Sequence, residues 1–477
     1  MLPIETGSFF CIYICFVQLP KQLIDSLERI EGFDKQAFEN MHASPEQVTS
    51  IRINPDKTPM VNGQWSVIHH SPLTIHDFVP WSQYGYYLSQ RPSFTFDPLF
   101  HAGCYYVQEA SSMFLEHALK QTVDLSKPLK ILDLCAAPGG KSTHIQSLIT
   151  KDSLLVCNEV IKSRANILKD NIIKWGSDNV VITNNDPKDF SKLENYFDVI
   201  VIDAPCSGSG LFKRDEEAMD EWSLNNVALC SQRQQRILAD VWPALKSDGI
   251  LIYSTCSYSK EEDEEILDWI EGQFVVSSLQ LTVDKGWNIT EVRSKVGAYG
   301  YRFWPYKTKG EGFFIGCFRK NEGEDASDMR VKNKMEIVTK KEKEIILPWM
   351  EETSNVFIKN NNLVYSIPVV LKEDINLLLS LLRVQYSGTI AGELFGEKFA
   401  PAHSLAMSNL VKKTTAHKEL DYEQAIKYLQ RKELNITIKD PGWQLMKYKG
   451  FNLGWVKALS NRINNYYPKE LRILKDS

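Results

Sequence analysis

The sequence predicts an α/β protein: a mainly parallel sheet covered by helices on both faces, with a separate N-terminal unit and a small β-rich C-terminal one. Three observations carry this. Continuous apolar runs recur at KILDL (130–134), SLLVCN (153–158), NVVIT (179–183), DVIVID (198–203) and GILIYST (249–255). Helical periodicity fills the intervals at 142–150, 162–174, 224–245 and 260–272. Strands that are apolar throughout, alternating with amphipathic helices, belong to a parallel sheet buried on both sides. Finally, 477 residues exceed what one hydrophobic core supports.

The remaining elements follow in chain order. Residues 20–45 carry apolar side chains at helical spacing, SIRINPDK (50–57) alternates like a strand, and helical periodicity returns at VQEASSMFLEHAL (107–119). FFIGCF (313–318) is one more strand after the alternating region. Residues 321–345 are dense in charge and nearly without aromatics, the composition of a linker or a solvated helix. Beyond them NLVYSIPVV (362–370), RVQYSGTIAGELF (383–395) and WQLMKYKGFNLGWVKAL (443–459) read as strands with glycine turns. The expected division is an unassigned extension over 1–19, an N-terminal domain over 20–125, the α/β domain over 126–320, the linker over 321–345 and a C-terminal region over 346–477.

Composition excludes several classes. With 43% hydrophobic and 24% charged residues the chain has the balance of an ordinary globular protein. No apolar stretch reaches the roughly 18 residues that span a bilayer. The run from Phe9 to Val17 is short and has no Lys or Arg before it, unlike a signal peptide. Nine cysteines without a C-x-x-C pair exclude a disulfide scaffold and paired zinc knuckles. Free thiols in a reducing cytoplasm are expected, with no membrane association, no metal and a monomeric chain. The formal net charge is −5, but residues 401–477 hold 14 Lys and Arg against 7 Asp and Glu. A basic C-terminal segment on an acidic protein suits contact with phosphates.

The chemistry gathers at the strand ends. DLCAAPGGKST (133–143) joins the first strand to a helix through small residues that let backbone approach a ligand. Glu159 ends the second strand, about 20 residues on, where an acid accepts hydrogen bonds from ribose hydroxyls. Asp186 follows the third strand and suits an adenine amino group. A phosphate-binding P-loop would need glycine where Cys135 stands, and Pro138 removes an N–H that should cradle phosphate. The pattern is therefore that of an adenosine-containing cofactor.

The fourth strand runs into DAPCSGSG (203–210) and the fifth into STCSYSKEED (254–263). Adjacent parallel strands bring Cys206 and Cys256 to the cofactor's edge of the sheet, whereas Cys157, Cys230 and Cys317 sit where small buried side chains are expected. Two strand-end thiols suit methylation of cytosine at C5. A thiolate adding at C6 turns C5 into an enamine-like carbanion able to attack a methylsulfonium, and sulfur both attacks and leaves readily. An acid such as Asp203 at N3 would stabilise the adduct. This chemistry alone leaves open which cysteine attacks.

DLCAAPGGK, DAPCSGSG and STCSYSKEEDE resemble the motifs of the Nop/Sun family of RNA 5-methylcytosine methyltransferases. The resemblance extends to SIRIN (50–54), YVQEASSM (106–113), SQRQQRIL (231–238) and EGFF (311–314), where the family's usual Asp is Glu311. GWVKALSNRINNYYPKEL (454–471) is similar to the tail of the bacterial members that act on small-subunit ribosomal RNA. The resemblance implies a class I S-adenosylmethionine-dependent methyltransferase (Rossmann-like) sheet, an N-terminal RNA-contacting domain and a PUA-like RNA-binding module at the C-terminus. It implies Cys256 as the nucleophile, Cys206 as an aid to product release, Asp203 as a contact to base and cofactor, and Lys141 as its orienting partner. It also implies that Cys135, Ala136, Ala137, Pro138, Gly139, Gly140, Lys141, Glu159, Asp186 and Asp203 bind S-adenosylmethionine. The expected partner is ribosomal RNA or the small subunit, with transfer RNA or a non-catalytic role in ribosome assembly as alternatives. Lys213, Arg214 and Arg233 follow the catalytic loop and are expected near phosphates.

Overall fold

The apolar runs form the centre of one ten-stranded mixed sheet. The computed structural model describes residues 19–61, 64–65, 73–322 and 331–475; the run at 9–17, with Cys11 and Cys15, lies outside them. In chain order the sheet contains β1 (Lys130–Asp133), β2 (Leu154–Asn158), β3 (Val180–Thr183), β4 (Phe197–Asp203), β5 (Leu245–Thr255), β6 (Val276–Ser278), β7 (Thr290–Arg293), β8 (Tyr299–Phe303), β9 (Phe313–Lys320) and β10 (Val384–Ser387). Their order is β7-β8-β9-β5-β4-β1-β2-β3-β10, with β6 paired to β9. β1 to β5 are parallel to their neighbours, while β9 and β10 run antiparallel to β5 and β3. Chain order reverses between β1 and β4, which opens a crevice at the carboxyl ends of those strands.

Alternation along each strand divides the core into two layers. Leu132, Val156, Ile200, Ile202 and Leu251 meet α3 (Leu224–Val241) and α4 (Glu264–Gln273) through Leu238 and Ile266. Ile131, Leu155, Val199, Val201 and Ile252 face the other way, onto α1 (Gly140–Gln146) and α2 (Lys162–Trp175) through Ile145, Leu168 and Ile172. Each fully buried Leu or Ile contributes about 1.5–3 kcal/mol, so replacing one of these apolar side chains with a charge would be strongly destabilising.

The N-terminal unit is an antiparallel sheet of Ile75–Phe78, Gly85–Leu88, Thr49–Ile53 and Tyr105–Val107. Arg52 fastens it to the cofactor loop. Fully buried, its guanidinium donates to Gln108 Oε1 at 2.8 Å, Thr143 Oγ1 at 2.6 Å and the Gly140 carbonyl at 3.3 Å, and lies 4.4 Å from the Trp175 ring centroid.

The C-terminal reading needs one correction. The short strands expected over 383–395 do not all belong to the small β-rich unit. The chain divides at Gly388: Val384–Ser387 becomes edge strand β10 of the central sheet, and Thr389–Phe395 joins a five-stranded sheet with Glu336–Ile337, Asn355–Asn360, Leu363–Pro368 and Lys398–Pro401. Edge strands expose unpaired backbone groups, and β10 covers that edge of the α/β sheet. Part of the charged 321–345 segment is structured as well, since Thr339 and Glu342 form a capping box for the helix Lys340–Ile346. The last unit, with strands His417–Leu420, Gly442–Tyr448, Phe451–Ala458 and Ile463–Asn465, packs Leu420, Ile426 and Met446 against Ile51, Leu99 and Tyr105 of the N-terminal unit.

Candidate active site

The crevice is lined by the loops that leave β1, β2, β3, β4 and β5. On the β1 side, Gly139 has φ +111°, a conformation closed to most side chains, and caps α1. Asn158 at the end of β2 ties three loops together. Its amide donates to the Leu134 and Asn185 carbonyls at 3.2 and 3.0 Å, while its oxygen accepts from Thr183 Oγ1 at 2.8 Å and the Asn185 N–H at 3.0 Å. Glu159 is buried; one carboxylate oxygen accepts the Ile161 N–H at 2.9 Å and the other lies 3.4 Å from Arg164. Asp186 caps the short helix Pro187–Lys192, accepting the Lys188 N–H at 3.2 Å.

Beneath this loop, Asp133 is fully buried. Its Oδ2 accepts from Ser142 at 2.6 Å, and among the described residues Oδ1 has no partner. Burial drives its pKa up to about 7 against the hydrogen bond from Ser142, with nearby Asp203 adding to the rise. An orphaned buried carboxylate oxygen beside a small-residue loop and two further acids fits a ligand that carries hydroxyls, an amino group and positive charge. S-adenosylmethionine has all three.

On the β4–β5 side the two cysteines converge. Asp203 and Ser254 are paired across the strands, so the loops leave in register, and Cys206 Sγ lies 3.0 Å from Cys256 Sγ as a free thiol pair. The hydrogen bond to Cys256 and burial both push the Cys206 thiol up, so Cys206 resists ionisation. Lys141 Nζ forms a 2.7 Å ion pair with Asp203, whose other oxygen accepts from Ser254 at 2.9 Å. Burial opposes the Lys141 charge, but Asp203, with Asp133 and Cys256, outweighs it and holds the ammonium protonated. Gly210 lets the first loop lie on the second: a Cβ there would sit 2.7 Å from the Cys256 carbonyl oxygen and 2.6 Å from that of Gly312.

Sequence reasoning missed the groups that hold the cysteines. Glu262 is fully buried between the loops, and its carboxylate accepts from the Ser207 N–H (2.8 Å), Ser207 Oγ (2.5 Å), Ser257 Oγ (2.6 Å) and Gln234 Nε2 (3.2 Å). Burial raises its pKa and these hydrogen bonds oppose the rise. Asp263 accepts from Thr255 Oγ1 at 2.6 Å and pairs with buried Arg302 at 3.0 Å, whose guanidinium also donates to the Tyr258 carbonyl at 3.0 Å. The acid run after the second cysteine motif reads as a solvated helix start; the available signal was that two of its acids follow a catalytic loop directly. Lys213 and Arg214 lie beside the site, whereas Arg233 is exposed on α3.

Residues 120–319 match the family model for 16S rRNA methyltransferase RsmB/F, 19–110 match that for the N-terminal domain of 16S rRNA methyltransferase RsmF, and 416–473 match that for the methyltransferase RsmF PUA domain. The ribosomal RNA small subunit methyltransferase F of Psychromonas ingrahamii is 31% identical over 412 residues, covering 82% of this chain and 85% of that protein. The protein of the same name from Aeromonas salmonicida is 29% identical over 441 residues, covering 88% and 90%. Among solved structures, a methyltransferase homolog protein from Pyrococcus horikoshii is 27% identical with a TM-score of 0.50, covering 63% of this chain and 100% of that one. NSun6 from Pyrococcus horikoshii with SFG shares the fold at 18% identity and a TM-score of 0.52, covering 64% and 99%. With similarity running through the N-terminal, catalytic and PUA regions alike, the chain belongs to the RsmB/F family of S-adenosylmethionine-dependent RNA methyltransferases.

Proposed function

We propose that this chain methylates carbon 5 of a cytosine in small-subunit ribosomal RNA, through a covalent bond from Cys256 to C6 of the base. The contact that carries the reading is the 3.0 Å approach of Cys206 to Cys256 at the strand ends, beside the Lys141–Asp203 ion pair. The motif resemblance, not the contact, assigns the attack to Cys256 and the aid to product release to Cys206.

When bound, S-adenosylmethionine supplies an electrophilic methyl group; Glu159, Asp186 and the loop Cys135–Lys141 would hold it, with the free oxygen of Asp133 available to its positive charge. The Cys256 thiolate adds to C6 and pushes electrons towards C5 and N3. Lys141, kept protonated beside Asp203, offers a donor to the charge that grows on the base, while Asp203 offers an acceptor to its amino group. Once C5 has taken the methyl group, its proton must leave and the C6–sulfur bond must break. The S–H of Cys206 stabilises the departing Cys256 sulfur. Holding the RNA falls to the basic C-terminal segment, whose excess of 14 Lys and Arg over 7 Asp and Glu lies in and around the PUA match.

Bisulfite sequencing of small-subunit RNA from cells lacking this protein, before and after treatment with purified protein and S-adenosylmethionine, tests the reading. At least one cytosine should turn from converted to protected. Methyl incorporation into another base, or into none, would overturn it.

A further inference from the structure

Beside the cysteine loops lies a cavity of about 300 Å³ that the methyl-transfer chemistry does not use. It is lined by Arg91, Gln108, Glu109, Lys213, Arg214 and Glu311, among others, and so mixes three cations with two carboxyl groups. Its walls belong to the reacting machinery. On one side Gln108 receives a hydrogen bond from Arg52, which also binds the Gly140 carbonyl of the cofactor loop. On the other, Glu311 precedes Gly312, whose N–H bonds to the Gly210 carbonyl at 3.4 Å, while the Gly210 N–H donates to the Cys256 carbonyl at 2.8 Å. The cavity is thus joined through Glu311, Gly312 and Gly210 to the loop that carries Cys256.

The two carboxyl groups differ. Glu109 is satisfied by backbone: its oxygens accept the N–H groups of Ser111 (2.8 Å), Glu311 (2.9 Å) and Ser112 (2.8 Å). The Glu311 carboxyl stands 3.6 Å from Arg214 Nη1, beyond hydrogen-bonding distance, and among the described residues it takes no hydrogen bond. Burial and the neighbouring Glu109 raise its pKa to about 7, while Arg214 and Arg91 oppose that rise. A part-buried carboxyl held by a loose ion pair to Arg214, in a cleft rimmed by cations, is open to a ligand that brings both an N–H donor and negative charge. A nucleotide with an amino-bearing base has both, and the cavity size matches the lower end of small-molecule sites.

We infer that this cavity is a second nucleotide subsite, which seats the residue adjacent to the target cytosine with Arg91, Lys213 and Arg214 against its phosphate and the Glu311 carboxyl against its exocyclic amino group. The inference rests on the cytosine-methylation reading above and deepens it by adding sequence preference. Adenine, guanine and cytosine present that amino group; uracil lacks it and offers only a ring N–H set between two carbonyls, which an ionised carboxylate meets less well.

The test uses full-length protein and small ribosomal subunits from cells lacking it, first locating the protected cytosine by bisulfite sequencing. Subunits are then made with each of the four bases immediately before and immediately after that cytosine. At one of these positions uridine should lower kcat/KM by about 10-fold relative to the amino-bearing bases. Glu311→Gln, whose amide both accepts and donates, should compress that ratio to about twofold. Lys213→Ala and Arg91→Ala should raise KM for RNA and each reduce its salt slope by about one unit. If wild-type and Glu311→Gln proteins show the same ratio, or the salt slopes do not change, the subsite is wrong although methylation stands. If no cytosine becomes protected at all, the methylation reading fails and takes the subsite with it.

Discussion

The two halves of the crevice achieve rigidity by different means. The cofactor half, from β1 to β3, is held by a glycine at positive φ, an asparagine binding three loops, capping acids that bond within two residues of themselves, and Arg52, which reaches Gly140 across 88 residues. The cysteine half, from β4 to β5, is held by buried acids that tie one cysteine loop to the other and to the strand behind. Glu262 reaches Ser207 across 55 residues, and Arg302 reaches the Tyr258 carbonyl across 44. A cofactor cradle tolerates adaptation around a flexible ligand, whereas on the mechanism proposed above the two sulfurs act in sequence on one base and need fixed separation. Substitutions in the cysteine half should therefore affect rate, and those in the cofactor half affinity.

The largest effect is expected at the sulfurs. Cys256→Ala should reduce methyl transfer to background while cofactor binding by calorimetry stays within about twofold of wild type. Cys206→Ala keeps the attacking sulfur and loses the donor that eases its departure, so enzyme and RNA should accumulate as an adduct stable on a denaturing gel; the double variant should form none. If Cys256→Ala trapped the adduct and Cys206→Ala turned over normally, the roles would be exchanged.

A step below comes Glu262→Gln, which preserves shape and removes the charge that receives four hydrogen bonds. An amide oxygen accepts these bonds more weakly, and its NH₂ group opposes at least one donor. Since a displacement near 1 Å can cost on the order of 100-fold, kcat should fall about 10- to 100-fold with little change in KM for the cofactor. An unchanged kcat would mean that the two loops position themselves without the buried acid.

The same contrast explains what could be read from the sequence. The parallel strands announced themselves because burial on both faces requires continuous apolar runs, and the cofactor loop because its requirements for small residues fall in one stretch from Asp133 to Thr143. The sulfurs were legible because strand-end cysteines have no packing reason to be there. Glu262 and Asp263 were not, since an acidic run normally faces water, and only tertiary structure reveals that both are buried. The hairpin of β7 and β8 carries mixed polar and aromatic residues with no strong period, and Val384–Ser387 could not be assigned to the central sheet from a pattern that continues through Gly388.

In the cofactor half, Glu159→Ala should weaken S-adenosylmethionine binding by roughly 10- to 150-fold, the equivalent of about 1.5–3 kcal/mol for a lost charged hydrogen bond. Saturating cofactor should restore kcat. A kcat that stayed low at saturation would show that the two halves are coupled, and the division drawn above would fail.

Asp133 offers the finest test, because it lies in the cofactor half yet titrates in an accessible range. Its folded pKa of about 7 is above the roughly 3.9 of an unfolded chain, so the folded protein binds more protons between those values. The contribution of Asp133 to stability is therefore fully present below about pH 4 and is lost as pH rises to about 7. The change is a few kcal/mol at most, taking about 1.4 kcal/mol per pKa unit. Asp133→Asn retains an acceptor for Ser142 and removes the titration. Melting curves of ligand-free protein from pH 5.5 to 8 should accordingly fall less steeply for the variant than for wild type, and the comparison cancels other groups titrating nearby. Cofactor changes the sign of the argument. A cationic ligand favours the ionised carboxylate, so wild-type affinity should rise over the same interval and the affinity of Asp133→Asn should stay nearly flat. Parallel melting slopes would show that Asp133 ionises normally in the folded protein. Equal pH dependence of binding would show that its free oxygen does not meet the cofactor's charge, leaving Glu159 and Asp186 as the acids that hold the ligand.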